Sequence, residues 1–154
     1  MEEMAKQVVD ALKQRQQTVT FVESLTCGLA ASCLGSVSGA SAVFLGSVVT
    51  YSNQIKEKLG VPKEVLNRVG AVSACCAKAM AESGQAWIGS DYALSFTGVA
   101  GPHSLEGKAV GEVYIALATP EHTVTKHYHF QGNREAIRQQ AVKAGYRLLL
   151  ATLS

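Results

Sequence analysis

The sequence is poor in charge, in aromatic rings and in long apolar runs. Charged side chains make up 17% of the 154 residues and sum to a formal net charge of +2. A chain so nearly balanced has no concentrated basic face for holding nucleic acid, so no nucleic-acid partner is expected. No apolar stretch approaches the ~20 residues that cross a bilayer. The opening MEEMAKQVVDALKQRQQ is charged where a signal peptide would be apolar. These absences predict a cytoplasmic chain without a membrane partner. Four cysteines, Cys27, Cys33, Cys75 and Cys76, form no CxxC pair and no zinc spacing. They read as reduced thiols, mostly buried, and neither a metal nor another cofactor is expected.

What is present is a globular composition. Hydrophobic residues reach 47%, and a chain of this length buries about two-thirds of its unfolded surface without disulfides or metals. With no repeat, linker or low-complexity segment, residues 1–154 are predicted to form a single domain. Val8, Val9 and Leu12 mark an amphipathic helix over residues 2–15. Strands are predicted at 18–22, 43–51 (with Gly46 a bulge) and 92–96. A further pair, 110–118 and 122–130, forms a hairpin through Thr119-Pro120-Glu121. Small residues give a helix over 28–34, and short helical pieces between Lys56 and Leu66 break at Gly60 and Pro62. Ser73 caps a helix over 74–87. Asn133 caps a last helix that puts Ile137, Ala141, Ala144 and Leu148 on one face. Helices alternating with the early strands, and a late hairpin, predict an α/β fold: a three-layer α/β/α sandwich with a mixed central sheet.

Four segments carry polar residues at positions suited to chemistry. Glu23-Ser24-Leu25-Thr26 is a turn between a strand and a helix, at the sheet edge where open α/β folds bind ligands. The first-turn N–H groups of that helix suit an oxyanion or a phosphate; the plainer alternative is that Ser24 or Thr26 is an N-cap. Tyr51-Ser52-Asn53-Gln54-Ile55-Lys56 ends the second strand. A lysine there acts as a base if burial depresses its pKa, with the tyrosine orienting the proton; otherwise Lys56 and Lys58 are solvated charges. The loop from Thr97-Gly98 to Lys108 wraps a ligand with backbone amides or is an ordinary turn. Arg134 and Arg138, four apart at a helix start, make a clamp for phosphate or carboxylate or a solvated face.

Three motif matches fail on context. Gly35-Ser36-Val37-Ser38-Gly39 spells G-x-S-x-G, but a helix precedes it where the nucleophile elbow needs a strand. Gly101 to Lys108 has one residue too many between its glycines for a Walker A loop, and Ala109 stands where Ser or Thr is required. His127-x-His129 lacks a third metal ligand.

Taken in order, TVTFVESLTCGLAA, SGASAVFLGSVVTYSNQIK, GAVS, TGVAGP, VGEVYIALA and FQGNREAIR resemble the motifs of the CinA C-terminal domain family, in its stand-alone form. The resemblance implies an α/β/α sandwich and a metal-free Ser–Lys amidohydrolase that converts nicotinamide mononucleotide to nicotinate mononucleotide and ammonia. It assigns Ser24 as nucleophile and Lys56 as base, with Tyr51 beside them and Lys58 as the alternative base. Leu25 and Thr26 would supply oxyanion amides. Asn53, Thr97, Gly98, Arg134 and Arg138 would bind the substrate, with an arginine on its 5′-phosphate. The chain departs from the family pattern at Cys27, where the family has glycine, and at His103-Ser104-Leu105. Those departures leave open a catalytically silent relative that binds a nucleotide or serves as an assembly module, or a hydrolase of another amide or ester. A homo-oligomer is expected.

Overall fold

The computed structural model describes residues 1–154. Apolar spacing at i, i+3, i+4 and i+7 folds Glu2–Arg15 into α1, burying Ala5, Val8, Val9 and Leu12. β1 (Val19–Glu23) is buried at every position, as expected of a central strand covered on both faces. α2 (Leu29–Gly35) follows, then a 3₁₀ turn at Ala40–Ala42 and β2 (Phe44–Val49). α3 (Asn53–Leu59) and α4 (Lys63–Arg68) lead to α5 (Ala74–Ile88). β3 (Tyr92–Gly98), β4 (Glu112–Ala118), β5 (Thr123–His129) and α6 (Arg134–Leu153) complete the chain.

The strand order is β2-β1-β3-β4-β5. β1 lies parallel to both β2 and β3, while β4 and β5 are antiparallel, so the sheet is mixed as predicted. One face carries the main core, where α1, α2 and α6 cover Phe21, Leu94, Phe96 and Ile115. The other face carries α5, α3 and α4 through two smaller clusters, one of them made only of alanines. The result is the three-layer α/β/α sandwich that the element order predicts.

Boundaries move where local chemistry was unread. α3 begins at Asn53 because the Ser52 hydroxyl accepts from the Ile55 N–H at 3.2 Å. β3 runs on through Thr97 and Gly98, which pair with Tyr114 and Val113, so these two belong to a strand and not to the loop after it. The start of α2 is delayed to Leu29 because Cys27 and Gly28 both take left-handed backbone, at φ 47° and 91°. The bulge expected at Gly46 is present: the β1–β2 register shifts there by one residue. No helix is long and apolar enough to cross a membrane.

Candidate active site

The carboxyl ends of β1 and β3 lie side by side, and the turn after β1 is fixed from beneath. Ser24 donates its N–H to the Phe96 carbonyl of β3 at 2.9 Å. The preceding Glu23 is fully buried. Its carboxylate accepts from the N–H groups of Ala30 (2.8 Å) and Ala31 (3.2 Å) and from the Ser47 hydroxyl of β2 (2.9 Å). Glu23 is thus the cap of α2, and neither Ser24 nor Thr26 serves that purpose. This corrects one expectation. The first-turn amides of α2 are occupied by Glu23 and are not open to an oxyanion or a phosphate. The N–H groups of Leu25 and Thr26, one turn earlier, donate to no acceptor in the protein.

Lys56 reaches the same serine from α3. Its Nζ lies 2.9 Å from Ser24 Oγ, 2.7 Å from the Thr50 carbonyl and 3.0 Å from the Tyr51 carbonyl. The side chain is 1% exposed. Burial pushes the ammonium below its ordinary value, against raising contributions from Cys76 and Glu106. The Cys76 thiol is itself pushed up to about 11, chiefly by burial, so at neutral pH it carries no charge to offset that effect. A neutral amine keeps two N–H donors and one lone pair. In that form the two carbonyls would take both donors and leave the lone pair for the Ser24 hydroxyl, whereas the ammonium form donates to all three oxygens. Lys58 is exposed and lines a separate groove with Trp87, so the lysine that meets the serine is Lys56.

In front of Ser24 lies a cleft of about 280 Å³, walled by Leu25, Tyr51, the Gly98–Gly101 backbone, the His103–Leu105 loop and Arg134. Arg134 is held in place by the Gly101 carbonyl (2.6 Å) and the Tyr51 hydroxyl (3.0 Å). The far wall is strapped down by Glu106, which accepts from the N–H groups of Ala71 (3.1 Å) and Val72 (3.2 Å). Lys108 adds a bond to the Val69 carbonyl at 2.8 Å. Burial raises the Glu106 carboxyl, but these two amides and Lys108 outweigh it and hold the group below its ordinary value. Gly70, at φ 82°, lets the carboxylate lie directly against its backbone, where any Cβ would collide with it.

Of the residues singled out in sequence, Ser24, Leu25, Tyr51, Gly98 and Arg134 line one cleft, and Lys56 stands behind its serine. The rest are elsewhere. Thr97 is buried and donates to the Ala71 carbonyl at 2.8 Å. Asn53 opens α3 on the exposed side, and Thr26 is fully buried. The two arginines do not form a clamp. Arg138 spends its Nε and one Nη on the Leu25 and Thr26 carbonyls, both at 3.0 Å, and the other Nη on Glu135 at 2.8 Å. Tyr51 meets the lysine with its carbonyl, while its hydroxyl faces Arg134. Glu23 was singled out only as part of its turn, not as the cap of α2, and Glu106 and Lys108 were missed, because their partners Ala71, Val72 and Val69 lie more than thirty residues away. His127 stacks on Tyr114 and pairs with Glu112 at 3.2 Å, an ordinary strand histidine.

Fold and site together define an α/β/α sandwich with a serine–lysine pair facing a cleft at the carboxyl ends of its parallel strands. The family model described as the CinA C-terminal domain matches residues 1–153, and the chain belongs to that family. A relative named competence-damage inducible protein in Lactiplantibacillus plantarum is 44% identical over 149 residues, covering 96% of this chain and 36% of the relative. The chain thus spans about a third of the length of such curated relatives. Among solved structures, a CinA superfamily protein from Klebsiella pneumoniae superposes with a TM-score of 0.97 at 32% identity, covering 99% of this chain and 96% of that one. The competence/damage inducible protein CihA from Agrobacterium tumefaciens gives a TM-score of 0.96 at 31% identity, covering 99% and 95%.

Proposed function

We propose that the protein is a metal-independent Ser–Lys amidohydrolase of the cytoplasm that deamidates nicotinamide mononucleotide to nicotinate mononucleotide and ammonia. The observation that carries this reading is the 2.9 Å contact between Ser24 Oγ and a fully buried Lys56 whose ammonium form is disfavoured.

In this scheme the Ser24 oxygen attacks the carboxamide carbon as its proton passes to neutral Lys56. The free N–H groups of Leu25 and Thr26 receive the developing oxyanion. The tetrahedral adduct collapses as the C–N bond breaks, and the Lys56 proton leaves with the amide nitrogen as ammonia. Water then attacks the acyl-serine. Lys56 takes a proton from that water and returns it to Ser24 Oγ, releasing the carboxylate and restoring both groups. Arg134, the arginine that lines the cleft, faces the substrate's 5′-phosphate. Binding of that remote group holds the amide at the serine.

The departure at Cys27 is consistent with activity. Its φ of 47° is the left-handed backbone that glycine adopts freely, and an exposed Cys27 sustains it at a cost of about 1–2 kcal/mol. The turn therefore keeps its shape. The test is ammonia release from nicotinamide mononucleotide without added metal, with Ser24→Ala alongside. We expect release by the wild type and a loss of ~10⁴-fold or more in the variant. A wild type that binds the nucleotide calorimetrically but releases nothing would instead identify a silent binding protein.

A further inference from the structure

The polar side chains of the cleft are Ser24, Tyr51, His103, Ser104 and Arg134. Two of them are basic and none is a carboxylate. The nearby acids are engaged elsewhere: Glu106 accepts from the Ala71 and Val72 amides, and Glu135, beside Arg134, pairs with Arg138. A lining of this sign suits an anion.

Arg134 alone does not satisfy a phosphate monoester. Of the five N–H donors of a guanidinium, two are committed, to the Gly101 carbonyl and the Tyr51 hydroxyl. One guanidinium fork spans two oxygens, whereas a phosphate monoester presents three and carries nearly two negative charges at neutral pH. A second donor is needed at the same end of the cleft, and the chain puts a histidine there. Gly101, which holds Arg134, lies two residues before His103, so their Cα atoms are at most about 7 Å apart.

The loop that carries His103 is fixed on both sides. Arg134 fastens it at Gly101. Beyond His103, Leu105 and Lys108 pair backbone to backbone, and Glu106 and Lys108 bind the segment 69–72. His122 and His127 have protein partners in Thr119 and Glu112. His103 has none, and it stands exposed at the cleft. An imidazole keeps at least one N–H to donate in either protonation state.

We propose that His103 is the second ligand of the phosphate that Arg134 faces, and that it sets the preference of the cleft for a 5′-mononucleotide over the corresponding nucleoside. The inference rests on the proposed function for the identity of that substrate. His103 then binds and takes no part in the chemistry, because the carboxamide lies at Ser24. The substrate is read from two ends: its amide between β1 and α3, its phosphate between α6 and the loop after β3.

The experiment compares nicotinamide mononucleotide with nicotinamide riboside, which differ only by the phosphate. Dissociation constants are measured by calorimetry in the Ser24→Ala background, where turnover does not intervene, with His103 intact and with His103→Ala. The intact loop should bind the mononucleotide at least ~100-fold more tightly than the riboside. His103→Ala should weaken the mononucleotide by about 10–100-fold and leave the riboside within about twofold. Inorganic phosphate, a probe without the pyridine ring, should bind the intact loop and lose affinity in the same variant. His103 is exposed, so the variant should fold, and thermal melts check this. An unchanged ratio of the two ligands overturns the proposal. Equal weakening of both does so too, because His103 would then be a steric part of the wall. Ammonia release by the wild type separates this inference from the reading beneath it. Equal kcat/KM for mononucleotide and riboside would keep the amidase and overturn the phosphate subsite. Phosphate binding through His103 in a protein that releases no ammonia would keep the subsite and overturn the amidase.

Discussion

At the scale of single residues, the decisive quantity is the protonation state of Lys56. Its burial disfavours the ammonium, so the fraction able to accept the Ser24 proton grows with pH until it saturates above the depressed pKa. The expected kcat/KM profile therefore rises from acid toward mildly alkaline pH, with its inflection below the ordinary lysine value. A profile flat from pH 5 to 10 would remove Lys56 as the base. Substitution separates charge from basicity. Lys56→Arg keeps a cation that does not deprotonate, so it should lose about 10²–10⁴-fold in kcat, as much as Lys56→Ala. Full turnover in either would assign the base elsewhere. Ser24 and Lys56 were legible as a pair only through the family resemblance, since the sequence alone left each with an ordinary alternative, a helix cap and a solvated charge. The 32 positions between them close because β1 and β2 run parallel and end together.

At the scale of elements, the arginines of α6 show where spacing is informative and where it fails. Four apart on a helix, Arg134 and Arg138 do share a face, as read. What each touches is set by the loop docked against it, and that is a long-range fact. Arg138 binds the Leu25 and Thr26 carbonyls and so joins α6 to the Ser24 turn. Arg134 stands in the cleft. Arg138→Ala should lower Tm, in proportion to a loss of about 1–3 kcal/mol, and, on the proposed mechanism, should lower kcat by loosening the Leu25 and Thr26 amides. Arg134→Ala should leave Tm nearly unchanged and raise KM by about 10–100-fold. Thermal melts and steady-state kinetics on both variants check this, and identical behaviour would mean that the two still act together. Caps were legible for the same reason that these contacts were not. The Ser73 and Asn133 side chains accept from the N–H three residues on, as their sequence context predicts. Glu106 instead finds Ala71 and Val72 across more than thirty residues. That strap makes its own prediction. Glu106→Gln should raise KM by several-fold, because the His103–Leu105 wall is released, and should move the inflection of the kcat profile to lower pH, because the carboxylate no longer raises the Lys56 pKa. With its folded pKa depressed, the strap is intact above the unfolded carboxyl value and weakens as pH falls through the folded one, so wild-type KM should climb under acid conditions. A KM indifferent to both would show that the wall needs no anchor.

At the scale of the whole molecule, the two faces of the sheet are built differently. Alternation of helices and strands was enough to predict three layers and a mixed sheet, because right-sized amphipathic elements have few ways to bury their apolar sides. The strand order and the character of each interface were not predictable, since they depend on which apolar residues meet. Toward α1, α2 and α6 the core is made of large side chains, with Phe21 between Phe44, Phe96 and Tyr146. Toward α5 it narrows to Ala77 and Ala81 against Ala93, Ala116 and Ala118. There the helix lies close enough for the Ser95 hydroxyl to donate to the Ala77 carbonyl at 2.6 Å. An alanine seam of this kind has no room for added methyl groups. Ala116→Val should destabilise by about 1–3 kcal/mol through overpacking, lowering Tm by about 2–4 °C for each kcal/mol in a chain of this size. Because Ala116 pairs with Ser95 in mid-strand, away from the strand ends that carry the cleft, kcat/KM at temperatures where the variant is folded should stay within about twofold of wild type. Differential scanning calorimetry with an activity assay decides the matter: an unchanged Tm would mean that α5 stands farther from the sheet than these contacts require, and a large loss of turnover in folded protein would mean that the seam and the site are mechanically coupled.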